Sequence, residues 1–149
     1  MKDQGRVEHA RMLRDERRPV YQEFWEAAEK LADALKEWVV EVDDYNAHSA
    51  TGPDWEVLSA QLLAFERDRD ALVKMLPRVA FAGPREVRKA AVSVCEEANG
   101  VLSSLLALVR EDPDARGWQH AYDRSSERLT DAREDFIAKA LDVLESPPL

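Results

Sequence analysis

The sequence predicts an all-α chain, an antiparallel up-down-up-down four-helix bundle with a long or broken N-terminal helix. Three observations carry that expectation. Four segments repeat apolar residues at alternating spacings of four and three, Gly- and Pro-bearing punctuation falls between them, and the composition suits solvated helices. Among 149 residues only 5 are Gly, while 34% are charged and 45% hydrophobic. That balance favours long helices over a sheet with many tight turns, and the length is that of a single domain with a sizeable core.

The first segment runs through Phe24, Ala28, Leu31, Leu35, Trp38, Val42 and Tyr45. The second has Trp55, Leu58, Leu62, Phe65, Leu72, Leu76 and Val79, with Arg69 in one seam position. The third is Val87, Ala91, Val94, Ala98, Val101, Leu105 and Leu108. The fourth is Trp118, Tyr122, Ser125, Leu129, Ala132 and Phe136, then Ala140 and Val143 after one extra step. Such stripes face partner helices at a shallow crossing angle. Leu63, Val73, Val92, Leu102, Leu106, Val109 and Leu141 widen them, as a globular bundle requires.

Breaks are expected at Ala50-Thr51-Gly52-Pro53-Asp54, at Phe81-Ala82-Gly83-Pro84 and at Glu111-Asp112-Pro113-Asp114, with Ser146-Pro147-Pro148 ending the fourth helix. Pro84 reads as a first-turn proline, and the acidic residues after Arg110 suit a helix N-terminus. Short connections between long helices favour antiparallel neighbours. Pro77 either ends or kinks the second helix. Pro19 leaves two alternatives open, because proline removes a donor and disfavours helix in the residue before it. Residues 3–17 form a separate short helix, or one helix of roughly 65 Å runs to Asn46.

The formal net charge is −9. An acidic chain repels phosphate backbones, so nucleic acid is not an expected partner. Residues 1–18 differ: six basic groups (Lys2, Arg6, Arg11, Arg14, Arg17, Arg18) stand against Asp3, Glu8, Asp15 and Glu16, a net +2 that leaves −11 for the rest. The chain therefore divides into a basic arm, 1–18, and a bundle, 19–149. Arg11, Arg14, Arg17 and Arg18 are candidates for contact with an acidic partner or with anionic lipid. The bland alternative is a solvated face laced with Glu8, Asp15 and Glu16. One cysteine, Cys95, excludes an internal disulfide. No apolar run resembles a signal peptide or a ~20-residue membrane span, so a cytoplasmic protein with at most peripheral membrane contact is expected.

The run Arg17-Arg18-Pro19-Val20-Tyr21-Gln22-Glu23-Phe24 resembles an Arg-Arg-x-x-Tyr-x-Glu-Phe segment of uncharacterised helical proteins of actinobacteria. Phe81-Ala82-Gly83-Pro84-Arg85-Glu86-Val87, followed by an Ala-rich helix, looks like their second hallmark. The resemblance implies a helical bundle and supplies no reaction. A membrane-spanning helix often precedes the Arg-Arg segment in that group; here the sequence starts without one.

Candidate chemistry is sparse. Glu23-x-x-Glu26 and Glu41-x-x-Asp44 formally resemble the acidic pairs of all-α nucleotide pyrophosphohydrolases, which gather Mg²⁺ between antiparallel helices. Nothing between Ala27 and Val40 breaks the helix, so Glu23 and Glu41 lie ~27 Å apart on one axis and cannot share a metal. Glu-x-x-His, needed for a di-iron bundle, is absent, and His9, His48 and His120 carry no metal spacing. Neither a metal nor another cofactor is expected. Cys95 reads as a buried apolar thiol, and Arg69 as snorkelling or paired with a carboxylate. Trp38, Tyr45, Trp55, Trp118 and Tyr122 gather at one bundle end, as filled core or as a small-ligand pocket. The expected function is a non-enzymatic interaction or scaffold module, acting by self-association (a homodimer) or by docking a protein partner. The alternative is a small-molecule or metal-binding bundle, even a hydrolase, working at the Trp-rich end.

Overall fold

The computed structural model describes residues 2–48, 54–110 and 118–145. The expected breaks at 50–53, 111–114 and 146–148, and the side chains of Tyr45 and His48, lie outside the described residues. Five helices fill what is described: α1 (Lys2–His48), α2 (Trp55–Lys74), α3 (Leu76–Ala82), α4 (Arg85–Arg110) and α5 (Trp118–Glu145). No strand occurs among the described residues, and the protein is all-helical with helix-on-helix packing.

The two prolines behave differently. α1 runs unbroken through Pro19. Proline there leaves the Asp15 carbonyl without its helical donor, yet both residues are exposed and water can supply the bond. Of the two alternatives, the continuous helix is therefore the one realised. At 47 residues α1 is about 70 Å long, against about 40 Å for α4 and α5. At Pro77 the helix divides. α2 stops at Lys74, Met75 makes a turn, and α3 restarts with Pro77 in its first turn, where no donor is needed. Met75 accepts from Arg78 and Val79 as the new helix begins.

Local chemistry fixes the other ends that are described. Asp54 caps α2 by accepting from the Val57 amide at 3.3 Å. Gly83 ends α3 at φ +54°, the left-handed region that glycine enters without a Cβ penalty, and donates back to Val79 and Ala80. Pro84, expected inside the first turn of the next helix, stands one residue before it and accepts from Arg88.

The core follows the stripes. Phe24, Ala28, Leu31, Leu35, Trp38 and Val42 of α1 are buried, as are all seven predicted seam residues of α4. α2 and α3 contribute Leu58, Leu62, Leu72 and Val79, and α5 contributes Tyr122, Leu129, Phe136 and Ala140. The widening residues divide. Leu102 is buried, whereas Leu63 (54% exposed), Val73 and Leu141 face solvent. α4 packs against all four other helices and sinks ten residues, so its stripe is broad. α2 and α5 have a flank without a neighbour, and their extra leucines and valine remain outside. α4 is also long and apolar enough, by composition, to cross a membrane, which the sequence reading did not anticipate. Most of its apolar residues belong to the bundle core.

Candidate functional site

The junction of the N-terminal overhang with the bundle is the most developed feature. The core begins at Tyr21, and residues 4–9 are exposed throughout. Three interactions fasten α1 to the α3–α4 corner just below the overhang. Arg17 donates Nε to the Ala82 carbonyl at 2.8 Å, Tyr21 donates its hydroxyl to the Gly83 carbonyl, and Arg78 pairs with Glu23 at 3.0 Å. Burial pushes the Tyr21 hydroxyl pKa up, with the Arg17 guanidinium opposing, so the phenol stays a donor. Behind it Phe24 and Phe136 rings meet at 4.9 Å, and Tyr21 lies edge-on to Phe136 at 6.3 Å.

Two clefts flank this stretch of α1. One, of ≈ 520 Å³, lies between α1 and α3 and is lined by Leu13, Glu16, Arg17, Val20, Pro77, Arg78, Phe81 and Ala82. The other, of ≈ 180 Å³, lies between α1 and α5; its walls are Arg18, Tyr21, Gln22, Trp25, Phe136, Ile137, Ala140, Leu141 and Leu144. Arg133 stacks on Trp25 at 5.3 Å beside it. Phe81 is 97% exposed, and Val7 and Met12 are exposed along the overhang.

The arginines singled out from sequence take separate roles. Arg11 and Arg18 are exposed, Arg14 is half-buried, and Arg17 is engaged internally with Ala82. The sequence marks Phe81 as part of a helix break and of the second hallmark, not as an exposed aromatic. The available signal was its position two residues after seam residue Val79, which turns it to the opposite side of the helix.

At the other end the aromatic residues are mostly structural. Trp38 is 2% exposed and donates its indole N–H to the Leu58 carbonyl at 3.0 Å. Trp55 and Trp118 are half-buried against the core. Gln119 donates to Asp43 at 3.0 Å, joining the start of α5 to the late part of α1. Tyr122 is buried and borders an open cleft between α1 and α5 that Trp38, Trp55 and Trp118 do not line. Burial raises its hydroxyl pKa, with the Ser126 hydrogen bond opposing and Asp123 adding. Tyr45 cannot be placed with them, being outside the described side chains.

The remaining candidates are engaged or isolated. Glu23 is held by Arg78, and Glu26 accepts from Gln22 at 3.0 Å. No group of three or more His, Cys, Asp or Glu side chains among the described residues is arranged to hold a metal. His9 and His120 are exposed on different helices. Cys95 is 5% exposed, and burial, with Glu96 adding, pushes its thiol up to about 12, which makes it a poor nucleophile. Arg69 does pair with a carboxylate, Asp70 at 3.1 Å, and it also reaches Asn99 of α4 at 2.8 Å. No family model matches the chain, and neither a curated protein nor a solved structure matches it.

Proposed function

We propose that this chain is a non-enzymatic interaction module: a rigid up-down-up-down bundle whose basic N-terminal overhang associates with a second copy or a protein partner. The topology is supported by which positions meet. Trp38 reaches Leu58 while Glu23 meets Arg78, and Asp43 meets Gln119 while Tyr21 meets Phe136. Contacts move up α1 as they move down its partners. One observation carries the functional reading. About five turns of α1 precede the core with Val7 and Met12 exposed, yet the helix is anchored at Arg17 and Tyr21. An isolated helix of that length is marginal in water, and a docking surface gives it a packing partner. The actinobacterial resemblance adds a helical bundle to this reading and no activity.

Light scattering on a sizing column, comparing the full chain with one starting at Pro19, tests the reading. A dimer that becomes a monomer without residues 1–18 is the expected result. Equal oligomeric states for the two chains would defeat self-association through the overhang.

A further inference from the structure

α1 carries opposite charges on one exposed face at two levels. Residues 4–18 hold five arginines against Glu8, Asp15 and Glu16, a net +2. Residues 23–37 hold Glu23, Glu26, Glu29, Asp33 and Glu37 against Lys30 and Lys36, a net −3. At ~100° per residue Arg11, Arg18, Gln22, Glu26, Glu29 and Asp33 all fall within one quarter of the helix circumference, and all six are exposed. An open hollow of ≈ 490 Å³ runs along the acidic level, bordered by Glu26, Glu29, Asp33 and Glu37 with Lys30 and Ala34 among them.

We propose that two copies pair antiparallel through α1, so that the basic overhang of each lies along the acidic level of the other. The inference rests on the overhang being an association element, and it names both the occupant and the register. A two-fold axis at Gln22 sets Arg18 opposite Glu26, Arg11 opposite Asp33 and Glu8 opposite Lys36, each pair occurring twice because the interface is isologous. The same register sets Asp15 opposite Glu29 and Arg14 opposite Lys30, two like-charge contacts of opposite sign at adjacent positions that offset one another diagonally. No other two-fold position between the two levels joins Arg11 and Arg18 to carboxylates together. The bundles stay on outer sides of the helix pair, since the face used is the one turned away from the core.

The size is sufficient. Residues 4–40 of each copy overlap over about 55 Å, and a strip ~10 Å wide gives roughly 550 Å² per copy, about 1,100 Å² in all. A specific interface needs about 1,000 Å². Exposed Val7 and Val40 add apolar area near its two ends. Because the contact is otherwise polar, its strength falls as salt screens the pairs.

The test is light scattering and sedimentation equilibrium on the full chain with two double variants and their combination. The expected result is a salt-sensitive dimer. Glu26→Lys with Asp33→Lys weakens it at least about tenfold, Arg11→Glu with Arg18→Glu does the same, and all four changes together restore it. All four positions are exposed, and far-UV circular dichroism checks that the fold is kept. A monomeric full chain, a dimer indifferent to either double variant, or a combination that fails to restore pairing overturns the proposal. If the chain starting at Pro19 is monomeric while the charge variants remain dimeric, the overhang still mediates association and only this register fails. If removal of residues 1–18 also leaves the dimer intact, both fail.

Discussion

Phe24→Ala and Phe81→Ala make the same chemical change in opposite surroundings, and the structure assigns them different costs. Phe24 is 0% exposed, with its ring 4.9 Å from that of Phe136, whereas Phe81 is 97% exposed. Truncating a buried Phe removes its transfer free energy and leaves a cavity that close-packed neighbours only partly fill, a cost of about 3–5 kcal/mol. Loss of the aromatic pairing with Phe136 places Phe24 towards the upper part of that range. At position 81 almost no buried surface is lost and no cavity forms, so the change lies within about 0.5 kcal/mol. For a chain of this size the first corresponds to a drop in melting temperature of roughly 6–20 °C and the second to about 2 °C or less. Urea unfolding followed by circular dichroism, with equal m-values required for both variants, measures the difference. If Phe81→Ala costs more than ~1 kcal/mol, or Phe24→Ala less, the assignment of the arm-end core is wrong.

Two further outcomes follow from particular residues. Pro19→Ala restores a donor for the Asp15 carbonyl and removes a ring from a helix interior, so melting temperature and helical ellipticity rise, by up to about 3 kcal/mol in stability. An unchanged or lower stability would show that residues 2–18 do not continue the bundle helix. Cys95 retains its proton in the folded state to about 12, while the unfolded thiol releases it near its ordinary value. The folded state then binds more protons above the unfolded pKa, so its stability is complete below that point and declines as pH rises towards the folded value, by at most ~1.4 kcal/mol per unit. Urea midpoints of Cys95→Ala should fall less steeply than those of the parent chain from about pH 8 to about pH 10, and parallel curves would refute the linkage.

The seam was legible because its cause is local. A period near 3.5 residues leaves little choice about which side of a helix is buried, and Phe24 to Val42 and Val87 to Leu108 obey it without exception. Arg69 illustrates a partial reading: its carboxylate partner was foreseeable in Asp70, one residue away, but its bond to Asn99 needed α2 and α4 side by side. For Leu63 and Val73 the stripe was too broadly drawn, since apolarity marks what can be buried while the number of neighbouring helices sets what is. The charge contrast within α1 was also visible, and it supplies most of the proposed pairing.

By itself the sequence determined the helical class, the faces that pack, and the basic character of residues 1–18. Only the tertiary structure decided that Pro19 sits within a continuous helix while the chain turns at Met75 ahead of Pro77. Each proline permits either outcome locally. What differs is the surroundings: Asp15 and Pro19 lie in water, whereas the turn at Met75 brings buried Val79 into the core and Gly83 beneath the Tyr21 hydroxyl. The same holds for Arg17 and Phe81. One bonds Ala82 across 65 positions of sequence and the other is left in solvent two residues after a core valine. Both depend on how whole helices approach, and no local propensity encodes that approach.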